Sequence, residues 1–191
     1  MSKKSKNISL KLNILENRKL SPYTNNEYIG RILWSFFFLF FRFSPRILFE
    51  WRNFLLRIFG AKIGKNVHIY PSAYIYLPWN LKIGDNSSIG EWALIYNLGK
   101  VDIGSRATIS HRAHLCAGTH QYSKSILPLL RLPIKIGDEV WICSDSFIGP
   151  NVSIGSGAIV GAAAVVMKSV RPLHIVAGNR AKFVKIRKIK Q

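Results

Sequence analysis

From Ile63 to Val166 an aliphatic residue recurs every six positions, and this period constrains the fold more than any other property of the chain. The series runs Ile63, Ile69, Ile75, then Ile83, Ile89, Ile95, Val101, then Ile103, Ile109, Leu115, and resumes at Ile136, Ile142, Ile148, Ile154, Val160 and Val166. In many units the next residue is glycine, as at Gly64, Gly84, Gly90, Gly104, Gly137, Gly149, Gly155 and Gly161. The fifth position is small or β-branched, as at Val67, Ala73, Ser87, Ala107, Ser146, Val152 and Ala164. A period of six matches neither the helix nor simple strand alternation, and a short period sustained this long reads as a stacked repeat.

The physical reading is a three-sided coil in which each hexad supplies a short strand and a turn, and three hexads make one circuit. The aliphatic residue points inward and stacks on its equivalent one coil away. Glycine serves the turn where a Cβ would cost energy, and the small fifth residue fits inside the corner. Residues 63, 83 and 103 are twenty apart, which predicts a two-residue bulge at one corner of the early coils. With strands about 4.8 Å apart, five coils rise roughly 24 Å. Such a prism offers places for chemistry mainly where the rule is broken.

Outside the repeat the chain changes character. Twenty-eight Lys and Arg against nine Asp and Glu give a formal charge of +19, gathered mostly at the two ends. That placement argues against a groove for nucleic acid, which lines one continuous surface with basic and aromatic side chains. Cys116 and Cys143 are too few for a disulfide framework and lack CxxC spacing, so a reducing, cytoplasmic setting is expected. The run ILWSFFFLFF, residues 32–41, is flanked by Arg31 and Arg42 and is far shorter than the roughly 20 residues that span a bilayer. Residues 28–59 read as one or two helices lying on something, with Arg42, Arg46, Arg52 and Arg57 between large apolar residues. A peripheral site on the inner membrane face, with snorkelling arginines, and packing on the rest of the chain or a neighbouring subunit are both open and compatible. The expected organisation is a basic, flexible arm over 1–27, a helical segment over 28–60, the coil over 61–168 with an excursion loop at 121–135, and a basic tail over 169–191.

The largest break follows Leu115, where CAGTHQYSKSILPLLRLPIK leaves the coil before the period resumes at Ile136. The hexads of residues 61–182 resemble the left-handed parallel β-helix of the hexapeptide-repeat acyltransferases. Within that family, CAGTHQYS, PIKIGDEVWI and VAGNRAK are similar to the motifs TGxHxYS, PIxIGxxxWI and AGxPAK of colanic acid and related polysaccharide O-acetyltransferases. FLLRIFGAKIGKNVHIYPSA and PWNLKIGD carry the likeness into the N-terminal half. The implied fold is an all-β, left-handed parallel β-helix with an N-terminal helical segment and a short C-terminal tail.

The resemblance implies an acetyl-CoA-dependent O-acetyltransferase acting on a sugar hydroxyl of a surface polysaccharide or its lipid-linked precursor. His120, in the GTH element, is then the general base, since an imidazole titrates near neutrality and an attacking hydroxyl must lose its proton. Transfer is direct, with an oxyanion donor expected among the amides of 141–144 and with Cys116 structural. Asn97 and His114 become acceptor-binding residues. Trp141, Ser144, Ala162 and Gly178 border the pantetheine arm of coenzyme A, while Lys168, Lys182 and Lys185 meet its phosphates. Packing remains an equal reading for Trp141, an ordinary turn for Asn97, and a solvated basic surface for the lysines. The family is trimeric, with coenzyme A between neighbouring prisms. No metal is expected, because the histidine spacings do not match the zinc-binding β-helices. Arg180 stands where the motif has proline, and Cys143 where it has glycine. Two other readings are N-acetylation of an amino sugar and a non-catalytic scaffold docking on membrane or a partner.

Overall fold

The computed structural model describes residues 12–189. The period-six residues sit where the sequence places them. Ile63, Ile83, Ile103, Ile136 and Ile154 lie in parallel register on one face. Ile69, Ile89, Ile109, Ile142, Val160 and Val176 form a second face. Ile75, Ile95, Leu115, Ile148 and Val166 form the third. Apart from the partly buried Ile63, these side chains are almost wholly buried and make the three-sided parallel β-solenoid's continuous core. The corner between the third face and the next coil carries the extra residues that the twenty-residue spacing demands, including the 3-10 turn Pro78–Asn80.

The turn glycines are needed for a reason more specific than a tight turn. Gly84 does not adopt a left-handed conformation; a Cβ there would lie 2.6 Å from the Ser105 nitrogen and 2.7 Å from the Gly104 carbonyl carbon of the next coil. The coils stack too closely at this point for any side chain. The left-handed residue comes two positions later, as at Asn86 (φ 56°) and Arg106 (φ 54°).

Each coil donates its strand N–H groups to carbonyls of the following coil, as from Gly64 to Ile83 and from Gly84 to Ile103. The first coil is therefore left with carbonyls that need donors, and a helical cap supplies them. Helix α1 is Ile14–Lys19, α2 is Asn25–Arg42 and α3 is Phe49–Ile58. From α3, Arg52 Nε donates to Ile69 O (2.6 Å), Asn53 Nδ2 to Val67 O (2.8 Å), and Arg57 to the carbonyls of Ile63 and Gly64. From α2, Trp34 Nε1 donates to Ile75 O at 2.9 Å. A capping box of Thr24 and Glu27 starts α2. Its inner stripe, Trp34 and Phe41, is buried, whereas Phe36 and Phe43 on other sides stay exposed.

Three expected boundaries change. Of the flexible arm over 1–27, residues 1–11 lie outside the described part, and residues 12–27 are fixed: the Asn13 amide and Asn17 side chain bind carbonyls of 125–127. The excursion begins earlier than 121, because Gly118–His120 pairs antiparallel with Leu129–Arg131 as a hairpin, and Ile134 is already back in the coil. Of the tail over 169–191, residues 190–191 lie outside the described part, and the rest joins the solenoid: His174–Ala177 pairs parallel with Ile159–Val160, and Lys182–Ile186 folds back antiparallel on it. No helix among the described residues is long and apolar enough to cross a membrane.

Candidate active site

The hairpin carries His120 outward from the corner between the third and first faces. Its Nδ1 lies 2.6 Å from the carbonyl oxygen of Leu127. A carbonyl only accepts, so Nδ1 carries the proton and Nε2 keeps a free lone pair, the form a general base requires. The ring borders a groove of about 470 Å³ lined by Asn17, Arg18, Leu20, Pro22, Tyr96, Pro128 and Leu129. Sequence reasoning missed the α1 residues of this wall, because nothing in their spacing ties them to the coil. Tyr96 was more accessible to inference: it stands twenty residues from Tyr76, and the two rings pack 4.9 Å apart down the same corner. Burial raises the Tyr96 phenol above its ordinary value, so it stays a neutral hydrogen-bonding group.

The expected acceptor residues do not join His120. Asn97 is fully buried, with its Oδ1 accepting from the Leu77 amide (2.9 Å) and its Nδ2 donating to the Leu77 carbonyl (2.6 Å). Its amide stitches the bulged corner of one coil to that of the next and has no exposed surface to offer a sugar. His114 is half-buried on the third face, edge-on to Phe147 at 5.0 Å, with Nε2 enclosed and unpaired. Burial lowers its ring pKa, which keeps it neutral, and it packs rather than facing the groove. Cys116 donates its thiol to Gly118 O at 3.3 Å beside the hairpin. Among the described residues, no three His, Cys, Asp or Glu side chains converge to hold a metal ion.

The residues expected on the donor side gather elsewhere, at the corner between the second and third faces. Successive coils there are joined by Asp145 N to His111 O and Ala163 N to Ser144 O, and the Gly178 carbonyl accepts from Val165. The side chains shrink along this column from His111 through Ser144 to Ala162 and Gly178, the last at φ 90°. Ser144 Oγ is 3.1 Å from His111 Nδ1. Trp141 stands at 47% exposure on the adjoining face, its Nε1 donating to Ser110 Oγ (2.9 Å). The amides of Trp141 and Cys143 are spent on Ala158 and Val160, which removes both from the expected oxyanion donors. Lys168 and Lys182 share a cavity of about 660 Å³ with Arg171, His174 and Arg180 at the C-terminal end of the solenoid. Lys185 pairs opposite Ile175 and is not among the lining residues. Arg180 thus adds a cation to this cavity, and Cys143 is half-buried, its thiol pushed up by desolvation.

Similarity to known proteins follows these features. Residues 133–168 match the family model for bacterial transferase hexapeptide repeats. The chain is 40% identical over 157 residues to the "Putative colanic acid biosynthesis acetyltransferase WcaF" of Escherichia coli K12, covering 82% of this chain and 86% of that one. The chain belongs to the hexapeptide-repeat acetyltransferases. Another curated acetyltransferase, the galactoside O-acetyltransferase of Escherichia coli K12, is 28% identical over 139 residues, 71% of this chain and 68% of that one. Two solved structures of such acetyltransferases share the fold. A Vibrio cholerae protein complexed with acetyl coenzyme A has a TM-score of 0.80 at 22% identity, over 89% of this chain and 93% of its own. A galactoside acetyltransferase in complex with coenzyme A has a TM-score of 0.79 at 24% identity, over 92% and 91%.

Proposed function

We propose that this acetyltransferase moves an acetyl group from acetyl-CoA to a hydroxyl of a polysaccharide sugar or its lipid-linked precursor, with His120 as general base. The observation that carries the reading is the Leu127 carbonyl on His120 Nδ1, which leaves Nε2 basic at the mouth of an open groove. Nε2 takes the acceptor hydroxyl proton as that oxygen bonds to the thioester carbonyl carbon; the carbon–sulfur bond then breaks, and the proton is available to the departing thiolate. The relatives named for galactoside and colanic acid chemistry support a sugar as acceptor.

The small residues at Ser144, Ala162 and Gly178 fit a narrow pantetheine arm bordered by Trp141, and the cavity of Lys168, Arg180 and Lys182 fits phosphates as point charges. His120 and this donor column occupy different corners of one prism. Both sets meet at one site when prisms associate side by side, which supports a homotrimer with the donor held between subunits.

The uncovered outer side of the helical cap supports a peripheral location at an anionic inner membrane face. Phe36, Phe40, Phe43, Ile47, Trp51 and Phe54 are all exposed there. The arginines of the segment largely turn toward the prism: Arg42 stacks over Trp92, Arg46 over Tyr70, and Arg52 is wholly buried. An apolar outer side on a strongly basic chain fits a bilayer surface.

The decisive experiment combines acetyl-CoA calorimetry with a transfer assay on the wild type and His120→Ala. The expected result is unchanged donor binding and a loss of transfer of about two to four orders of magnitude. Wild-type transfer by the variant would remove His120 from the role, and absence of acetyl-CoA binding would favour a scaffold.

A further inference from the structure

The N-terminal helix α1 reaches the same carbonyl that orients His120. Asn17 Nδ2 lies 3.0 Å from Leu127 O, the atom that His120 Nδ1 approaches at 2.6 Å, and 2.5 Å from Ile126 O. One carbonyl oxygen thus stands between a side chain of α1 and the ring at the end of the hairpin strand. A carbonyl has two lone pairs and can serve both donors at once.

The peptide that presents this carbonyl is not held by regular structure. Leu127 has a left-handed φ of 44°, a conformation that a branched aliphatic residue seldom adopts without support. It lies in the connection between the two hairpin strands, beyond the last paired residues His120 and Leu129. Its own amide closes a turn onto Lys124 O, and the Gln121 amide donates to Pro128 O. Those bonds shape the turn from within. The bonds that fix it from outside come from α1: the two Asn17 contacts and the Asn13 amide donating to Ser125 O at 2.9 Å. The same helix continues into the groove wall through Arg18 and Leu20.

We infer that Asn17 is a positioning residue for the base: by clamping the carbonyls of Ile126 and Leu127 it holds His120 in the Nδ1–H tautomer with Nε2 turned to the acceptor. This rests on the reading of His120 as the general base. It also gives α1 a purpose that its six residues could not have as an isolated helix, since such short helices do not persist in water. The helix is held by the loop it orders, so base and acceptor wall form together.

The test uses the full-length protein, with Asn17→Ala, Asn17→Asp and Ser35→Ala compared with wild type and His120→Ala. Asn17→Ala removes both donors, and kcat should fall about tenfold while KM for acetyl-CoA is unchanged. Asn17→Asp keeps the shape but turns a carboxylate toward two carbonyls, and its kcat should fall further. Ser35→Ala removes an exposed side-chain bond to Arg31 O on α2 that touches neither α1 nor the hairpin, and should leave kcat near wild type. A purely structural role would not alter the ring itself, so the tautomer of His120 is read by nitrogen-15 NMR of histidine-labelled protein. Wild type should show the Nδ1–H form, and Asn17→Ala a shift toward the Nε2–H form that free histidine prefers. Wild-type kcat with an unmoved tautomer in Asn17→Ala overturns the inference. Persistent transfer by His120→Ala overturns the assignment of the base instead, and the tautomer measurement still decides whether Asn17 positions the ring.

Discussion

Two corners of the same prism have been put to opposite use. The corner between the second and third faces keeps the six-residue spacing from Ile69 through Val166, and from His111 onward its side chains shrink to Ser144, Ala162 and Gly178. The corner between the third face and the next coil departs from the rule in each early circuit. It holds the 3-10 turn at Pro78–Asn80, the buried amide of Asn97, and then the hairpin that carries His120. A regular lattice can leave a smooth, narrow channel by using small residues, but it cannot aim a polar group outward. That takes extra backbone, and extra backbone has to be tied down from outside the lattice.

Asn97 gives the largest expected effect on this contrast, because it joins the irregular corner of one coil to that of the next. Asn97→Ala leaves the N–H of Leu77 buried and unpaired, at about 1–3 kcal/mol, while the Leu77 carbonyl keeps its bond from the Asn80 amide. Denaturant unfolding should show a loss of roughly 1–3 kcal/mol, while kcat per folded molecule stays close to wild type. A selective rise in KM for the sugar, at unchanged stability, would return Asn97 to the acceptor site. At the regular corner, Ala162→Phe places an aromatic ring where the pantetheine arm is proposed to lie. Acetyl-CoA binding should weaken by roughly tenfold to a hundredfold, the range of about 1–3 kcal/mol for overpacking, with little change in unfolding. Undiminished binding would mean that the donor does not pass Ala162.

The regular corner was legible in the sequence, and the irregular one only in part. Every aliphatic residue of the hexad series lies on the face expected for it, because a period of six leaves one way to bury them all. His120 stands out through its motif, and the structure adds the Leu127 carbonyl beside its Nδ1. Asn97 could be read either as a ligand or as an ordinary turn residue until its partners are seen; its side chain bonds the amide and carbonyl of Leu77, twenty residues earlier. Asn17 gave no signal, since its contacts lie about 110 residues away and depend on a turn that the repeat does not specify. The basic tail was legible as charge but not as structure: Lys182–Ile186 completes a sheet because the strand His174–Ala177 offers it an open edge.

Lys182 distinguishes a phosphate site from a merely basic surface. Lys182→Ala should weaken acetyl-CoA binding about tenfold, with the difference shrinking as salt is raised, since the contact is between partly exposed charges. Calorimetry at two ionic strengths checks this. A loss that does not respond to salt would assign the effect to packing of the last strand instead.

The smallest effect concerns what ties the irregular corner to the cap. Arg131, on the second hairpin strand, pairs with Glu27 at the start of α2 (2.6 Å) and donates to the Pro22 carbonyl. The guanidinium holds the Glu27 carboxyl below its ordinary value of 4.5, against a smaller opposing effect of burial. A carboxylate whose folded pKa is depressed contributes its full stability above the unfolded value and loses it as pH falls through the folded one. Because both side chains retain some exposure, the pair is worth only about 0.5–1 kcal/mol. Thermal unfolding should therefore drop more steeply for wild type than for Glu27→Gln as pH is lowered from about 6 to about 3, and the two curves should converge at the acid end. Parallel curves would mean that Arg131 anchors the hairpin through the Pro22 carbonyl alone, a bond that acid does not break.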